Sequence, residues 1–134
     1  MSHNALKAWH NVVKTRNSQT LDELLHDDVV FHSPVVHTPQ KGRAITKAYL
    51  TAAFQVFFND TFHYVREIAD DENAVLEFEV NIGGTYVNGV DMIRWNDEGR
   101  ITDFKVMIRP LQAIQLIHEH MGKMLARSSD HKPS

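Results

Sequence analysis

The chain has 134 residues, enough for one domain with a single core, and its 43% hydrophobic and 23% charged content is ordinary for a globular protein. A formal net charge of −3 without any basic block leaves no footprint for nucleic acid, and the absence of cysteine excludes disulfides and thiol catalysis. No apolar run approaches a membrane span, and Met1-Ser2-His3-Asn4 lacks the apolar core of a secretion signal, so a soluble, cytoplasmic protein with no membrane partner is expected.

Ala5, Leu6, Trp9, Val12 and Val13 recur at helical spacing and predict a first helix ending near Arg16 and Asn17. Thr20-Leu21-Asp22-Glu23 has the pattern of a capping box, with Thr20 as N-cap, and predicts a short second helix with Leu21, Leu24 and Leu25 inward. Val29 to Ser33 reads as a strand stopped by Pro34, and Pro34 to Gly42 as a loop. Ala44 to Phe58 reads as a third helix, with Ile45, Ala48, Tyr49, Ala52, Ala53 and Val56 forming a broad apolar face. Asn59-Asp60-Thr61 fits a glycosylation sequon, an accidental match in a chain without a secretion signal.

From Thr61 to Arg109 the period changes to two. Leu76, Phe78 and Val80 alternate with Glu77, Glu79 and Asn81, and Asp70-Asp71-Glu72-Asn73 and Gly83-Gly84 supply turns. Gly89 to Ile108 then reads as two strands joined by Asn96-Asp97-Glu98-Gly99. Phe104, Val106 and Ile108 share one face of the second strand, while Asp103, Lys105, Met107 and Arg109 share the other. On the first strand Asp91 falls in phase with Ile93 and Trp95, on the apolar side. A carboxylate there must be paired, protonated or functional. Pro110 opens a last helix with Leu111, Ile114, Ile117, Met121 and Met124 on one stripe; this stripe is free to dock on its own sheet, cover a pocket mouth or extend a dimer. Residues 1–126 form one domain and 127–134 a polar tail, expected to be disordered.

Helices first and strands after in one run predict an α+β fold: a strongly curved antiparallel sheet wrapped around a long helix as a cone, whose open end is the place for an apolar pocket. The order of these elements, with the segments Leu24-Leu25-His26-Asp27-Asp28-Val29-Val30-Phe31, Ser33-Pro34-Val35 and Asp91 to Ile101, resembles the nuclear transport factor 2-like superfamily, in its SnoaL-like and ketosteroid isomerase-like branch with a cystatin-like fold. His32 to Pro39, Asn88 to Trp95 and the helix opened by Arg109-Pro110-Leu111 resemble uncharacterised bacterial members of that superfamily more closely than any named enzyme.

The resemblance places Asp91 at the protonated aspartic acid of the isomerase oxyanion hole, the case in which an apolar site keeps a carboxyl neutral. It places Ser33 at that enzyme's general base and Trp9 at its oxyanion-hole tyrosine. A serine hydroxyl does not take a carbon-bound proton unaided, and an indole N–H only donates, so the isomerase mechanism does not carry over unchanged.

Asp91 is the first catalytic candidate, as acid or base. His37, on the loop, is a second proton carrier; His32, adjacent to Ser33, points the other way by strand alternation. Trp9, Ser33, Tyr49, Phe78, Ile93, Phe104, Val106 and Ile108 are the candidate ligand-binding residues. Of the aromatic side chains Tyr49, Phe54, Phe57, Phe58, Phe78 and Trp95, most are expected in the core and one or two at the cavity. His118 and His120 lie two apart on a helix and diverge, so no metal and no cofactor is expected. Glu77, Glu79, Arg94, Lys105 and Arg109 face outward, and the resemblance implies a homodimer through that sheet face. The expected function is binding of a small hydrophobic molecule. If the protein is an enzyme, isomerisation, cyclisation or dehydration by proton transfer follows; the alternative is a non-catalytic ligand-binding or dimeric assembly module.

Overall fold

The computed structural model describes residues 4–129. In chain order these form α1 (Asn4–Thr15), a 3-10 turn (Ser18–Thr20), α2 (Leu21–Leu24), β1 (Leu25–His32), β2 (Gln40–Lys41), α3 (Arg43–Phe57), β3 (His63–Ala69), β4 (Asn73–Ile82), β5 (Thr85–Trp95), β6 (Ile101–Arg109) and α4 (Leu111–Ser129). One six-stranded sheet, ordered β2-β1-β6-β5-β4-β3, curves around the helices without closing. β1 runs parallel to β6, and every other neighbouring pair is antiparallel, so the expected antiparallel sheet carries one parallel seam. The reason is connection length: α3 and four strands intervene before β6 returns beside β1, too long a path for a hairpin.

Local chemistry fixes the boundaries. Arg16 adopts a left-handed φ of 57° and ends α1, where the sequence placed its end. The expected capping box does not form. Asn17 Oδ1 instead accepts the Gln19 N–H at 2.9 Å and opens the 3-10 turn, while Thr20 makes no side-chain cap. The second helix is therefore a single turn, and Leu25 already belongs to β1. In α3 the inward residues are Thr46, Leu50, Phe54 and Phe57 with Ala52 and Val56, whereas Ile45 and Ala48 face solvent; the buried stripe is rotated toward the phenylalanines. Gly83 and Gly84, both at positive φ, close the β4–β5 hairpin, a geometry that side chains resist.

Two apolar clusters share the concave face. One gathers α1, β1 and the middle of the sheet around Trp9, Leu25, Phe31, Leu76, Ile93 and Phe104. The other lies under α4, where Ala113, Ile117 and Met121 bury against Val56, Phe57, Phe78, Val80 and Val87. The last helix thus docks on its own sheet and on α3. It continues through Ser129, into the segment read as a tail; residues 130–134 and 1–3 lie outside the described residues. Among the described residues no helix is long and apolar enough to cross a membrane.

Candidate functional site

The site begins with register. Asp91 stands opposite Leu76 of β4 and Val106 of β6, in phase with Ile93 and Trp95, and is only 6% exposed. Two residues earlier, Gly89 faces Phe78 across the β4–β5 pair. A Cβ at position 89 would lie 2.5 Å from the tip of the Phe78 ring and 2.8 Å from the Met107 carbonyl oxygen. Glycine is what lets the ring lie flat across the strand beside Asp91.

Asp91 is reached by a chain of hydrogen bonds from two other elements. The Tyr64 hydroxyl, on β3, donates to Asp91 Oδ2 at 2.7 Å. The Trp9 indole N–H, on α1, donates in turn to the Tyr64 oxygen at 3.1 Å. Trp9 itself is pinned by the edge of Phe104, ring centroids 4.9 Å apart, and by Phe54 at 5.8 Å. On the outer side of Tyr64, His10 lies edge-on at 5.8 Å and bridges to Glu67 at 2.6 Å, tying α1 to the edge strand.

A β-bulge puts Tyr64 there. Tyr64 pairs with Phe78 while Arg66 pairs with Glu77, so Val65 is the extra residue and both Tyr64 and Glu67 turn toward α1.

The direction of this relay is fixed. An indole can only donate, so Tyr64 spends its lone pair on Trp9 and its proton on Asp91. Burial pushes the Asp91 carboxyl up from 3.8 to about 7, with the Tyr64 hydrogen bond pulling the other way. Burial, and then the charge of Asp91, holds the Tyr64 hydroxyl well above its ordinary value, so it stays a donor. A proton on neutral Asp91 belongs on Oδ1, because Oδ2 already serves as the acceptor for Tyr64.

Beside Asp91 opens a small aromatic cavity of about 40 Å³. All seven phenylalanines of the chain line it: Phe31, Phe54, Phe57, Phe58, Phe62, Phe78 and Phe104. Trp9, Leu50, Ala53 and Val106 complete the wall, and Asp91 is its one ionisable side chain. More of the aromatic side chains reach the cavity than the expected one or two: Phe54, Phe57, Phe58 and Phe78 do, while Trp95 turns aside and donates to the Asp71 carbonyl at 2.8 Å.

Of the candidates read from the sequence, Asp91, Trp9, Phe78, Phe104 and Val106 meet at this cavity. Tyr49 stands one layer behind, against Phe31 at 5.5 Å. Ile93 is buried on the same face of β5 without lining the cavity, and Ile108 packs with the cluster under α4. Two further candidates lie outside the cavity. The Ser33 hydroxyl accepts the Val35 N–H at 3.2 Å, closing its own turn, and Ser33 does not line the cavity. His37 is exposed on that loop and does not line the cavity. His32 lies in a depression of the outer face with Arg94 and Lys105, as strand alternation requires. Tyr64 is the residue the sequence reading missed. Its signal was the alternation of Phe62 and Tyr64, which the bulge at Val65 cuts off after one step.

The SnoaL-like domain profile matches residues 6–104. The solved structure of a steroid delta-isomerase from Pseudomonas aeruginosa is 39% identical, with a TM-score of 0.89 over 95% of this chain and 93% of that one. An uncharacterized protein with a cystatin-like fold from Silicibacter pomeroyi is 28% identical, with a TM-score of 0.87 over 96% of this chain and 89% of that one. The epoxide hydrolase/cyclase-like enzyme SalBIII, at 16% identity and a TM-score of 0.64 over 81% of this chain and 90% of that one, shares the fold. A search of curated proteins found no match. The profile spans well over half of the chain, and the chain belongs to the SnoaL-like domain family, with an NTF2-like, cystatin-like fold.

Proposed function

We propose that the aromatic cavity binds a small hydrophobic molecule carrying a carbonyl or hydroxyl group, and that Asp91 moves a proton on it. The observation that carries this reading is a buried carboxyl, held up to about 7 and aimed by Tyr64, at the wall of a cavity otherwise built from hydrocarbon and rings. A group titrating near neutrality is both a competent acid and a competent base. With one ionisable group in the wall, the least demanding chemistry is a 1,3-proton shift. The Asp91 carboxylate takes a proton from the carbon between a carbonyl and a double bond, the double bond moves into conjugation, and the same carboxyl returns the proton at the far carbon. Isomerisation therefore fits better than dehydration or cyclisation, and the name of the Pseudomonas relative, a steroid delta-isomerase, supports it.

A second reading, a non-catalytic carrier, draws on the same wall: no other ionisable side chain lines the cavity to stabilise an enolate. One experiment separates them. A β,γ-unsaturated ketone is offered to wild type and to Asp91→Asn, following absorbance of the conjugated product. Asparagine keeps the shape and accepts from Tyr64, but holds no transferable proton. The enzyme reading expects wild-type turnover that rises with pH through about 7, as the carboxylate forms, and falls by at least about a hundredfold in the variant. Binding without turnover in either protein selects the carrier.

We further propose that two copies associate through the outer sheet face, where Met107 is 49% exposed amid Glu77, Glu79, Lys105 and Arg109. Sedimentation equilibrium at the dimer mass, lost in Met107→Lys, is the expected result.

A further inference from the structure

The seven rings of the cavity are not equivalent. Phe31, Phe54, Phe57, Phe78 and Phe104 are buried, whereas Phe58 and Phe62 remain half-exposed, so the segment from 58 to 62 forms the mouth. Phe58 stacks on Phe54 at 4.7 Å and meets the edge of Phe62 at 4.9 Å; Phe62 stacks on Phe78 at 5.3 Å. Any ligand entering beside these rings must part them.

Two anchors hold that segment. On the sheet side, Asn59 Nδ2 donates to the Asn81 carbonyl at 2.8 Å, and the Thr61 hydroxyl accepts the Asn81 N–H at 2.8 Å. Asn59 and Thr61 of the sequon pattern thus serve as a clasp onto the end of β4. On the helix side the segment is gripped by Arg16. Its Nη1 donates to the Phe58 carbonyl at 3.1 Å, its Nη2 to the Asn59 carbonyl at 3.0 Å, and its guanidinium carbon lies 5.7 Å from the centre of the Phe58 ring. The forked donor grips two successive carbonyls where the chain leaves α3, a grip that lysine's single ammonium cannot reproduce.

We infer that Arg16 is the latch of the cavity mouth, a positioning residue that holds the Phe58–Phe62 wall and sets the size of apolar ligand admitted. This rests on the reading of the cavity as a ligand site. Arg16 touches neither Asp91 nor its relay, so its effect falls on entry and exit, not on the proton.

The test uses Arg16→Gly. Glycine accepts the left-handed φ of 57° at this position, so the latch is removed without backbone strain. Binding of 2-naphthol is followed by stopped-flow fluorescence, with estradiol as a four-ring probe and amide exchange at Phe62, whose N–H closes on the Asn59 carbonyl at 3.1 Å. The latch predicts that Arg16→Gly speeds both association and dissociation of 2-naphthol by about tenfold, the scale of losing a charge-assisted hydrogen bond. It also predicts faster exchange at Phe62, a gain for estradiol relative to 2-naphthol, and only partial recovery in Arg16→Lys. Unchanged rates and exchange, with 2-naphthol still bound, overturn the latch and leave the ligand site standing. Failure of both probes to bind either protein overturns the ligand site itself, and with it the selecting role of Arg16.

Discussion

The two ends of the concave face were built from the same materials and finished differently. Under α4, Ala113, Ile117 and Met121 drop into the sheet opposite Val80 and Val87, and the space is filled by hydrocarbon. Beside α1, a ring of phenylalanines leaves a cavity and a carboxyl reached by Tyr64 and Trp9. Strand alternation directs both ends inward. What separates them is that α4 presents a stripe of unbranched and branched aliphatic side chains able to interdigitate, whereas rigid rings around a buried polar group do not close on one another. The filled end carries stability; the unfilled end is where the proposed chemistry lies.

Breaking this contrast at its filled end has the largest effect. Ile117 is 1% exposed, and Ile117→Ala is expected to cost about 3 kcal/mol in denaturant unfolding, from lost burial and the void left behind. Binding of 2-naphthol by the folded fraction stays as in wild type. A loss of affinity as large as the loss of stability would show that the two ends are one unit.

The boundary between the ends is Phe78, which belongs to the cluster under α4 and also lines the cavity. Gly89→Ala drives a methyl into the Phe78 ring and the Met107 carbonyl. The expected cost is about 2 kcal/mol, with the ring pushed into the cavity and weaker 2-naphthol binding. Unaltered binding would mean that the ring yields toward α4 instead.

How much of this was legible in the sequence differs along the chain. Asp91, Ile93 and Trp95 could be assigned to the inner face because β5 alternates without interruption up to Trp95, and Asn96 caps the turn as its position suggests. The C-terminal stripe was equally plain, though its docking site was not, since an apolar stripe does not name its partner. Tyr64 was hidden because β3 is an exposed edge strand whose bulge shifts the phase. Ser33 and His37 were read from their place in the chain, and neither lines the cavity beside Asp91. The rotation of α3 was also hidden: alanines at either face of a helix look alike until the phenylalanines choose one.

The central claim is that Asp91 exchanges its proton near neutral pH inside the fold. A carboxyl raised from 3.8 to about 7 makes the native state the better proton binder between those values. The contribution of Asp91 to stability is therefore fully present below about pH 4 and is lost, by about 4 kcal/mol at most, as pH rises through 7, a slope that Asp91→Asn removes. The direct measurement is the carbon-13 titration of the Asp91 side-chain carboxyl in the folded protein, with Tyr64→Phe alongside. The account predicts a midpoint near 7 in wild type, moving higher when the Tyr64 donor is lost. A midpoint near the ordinary 3.8, unmoved by Tyr64→Phe, would contradict it.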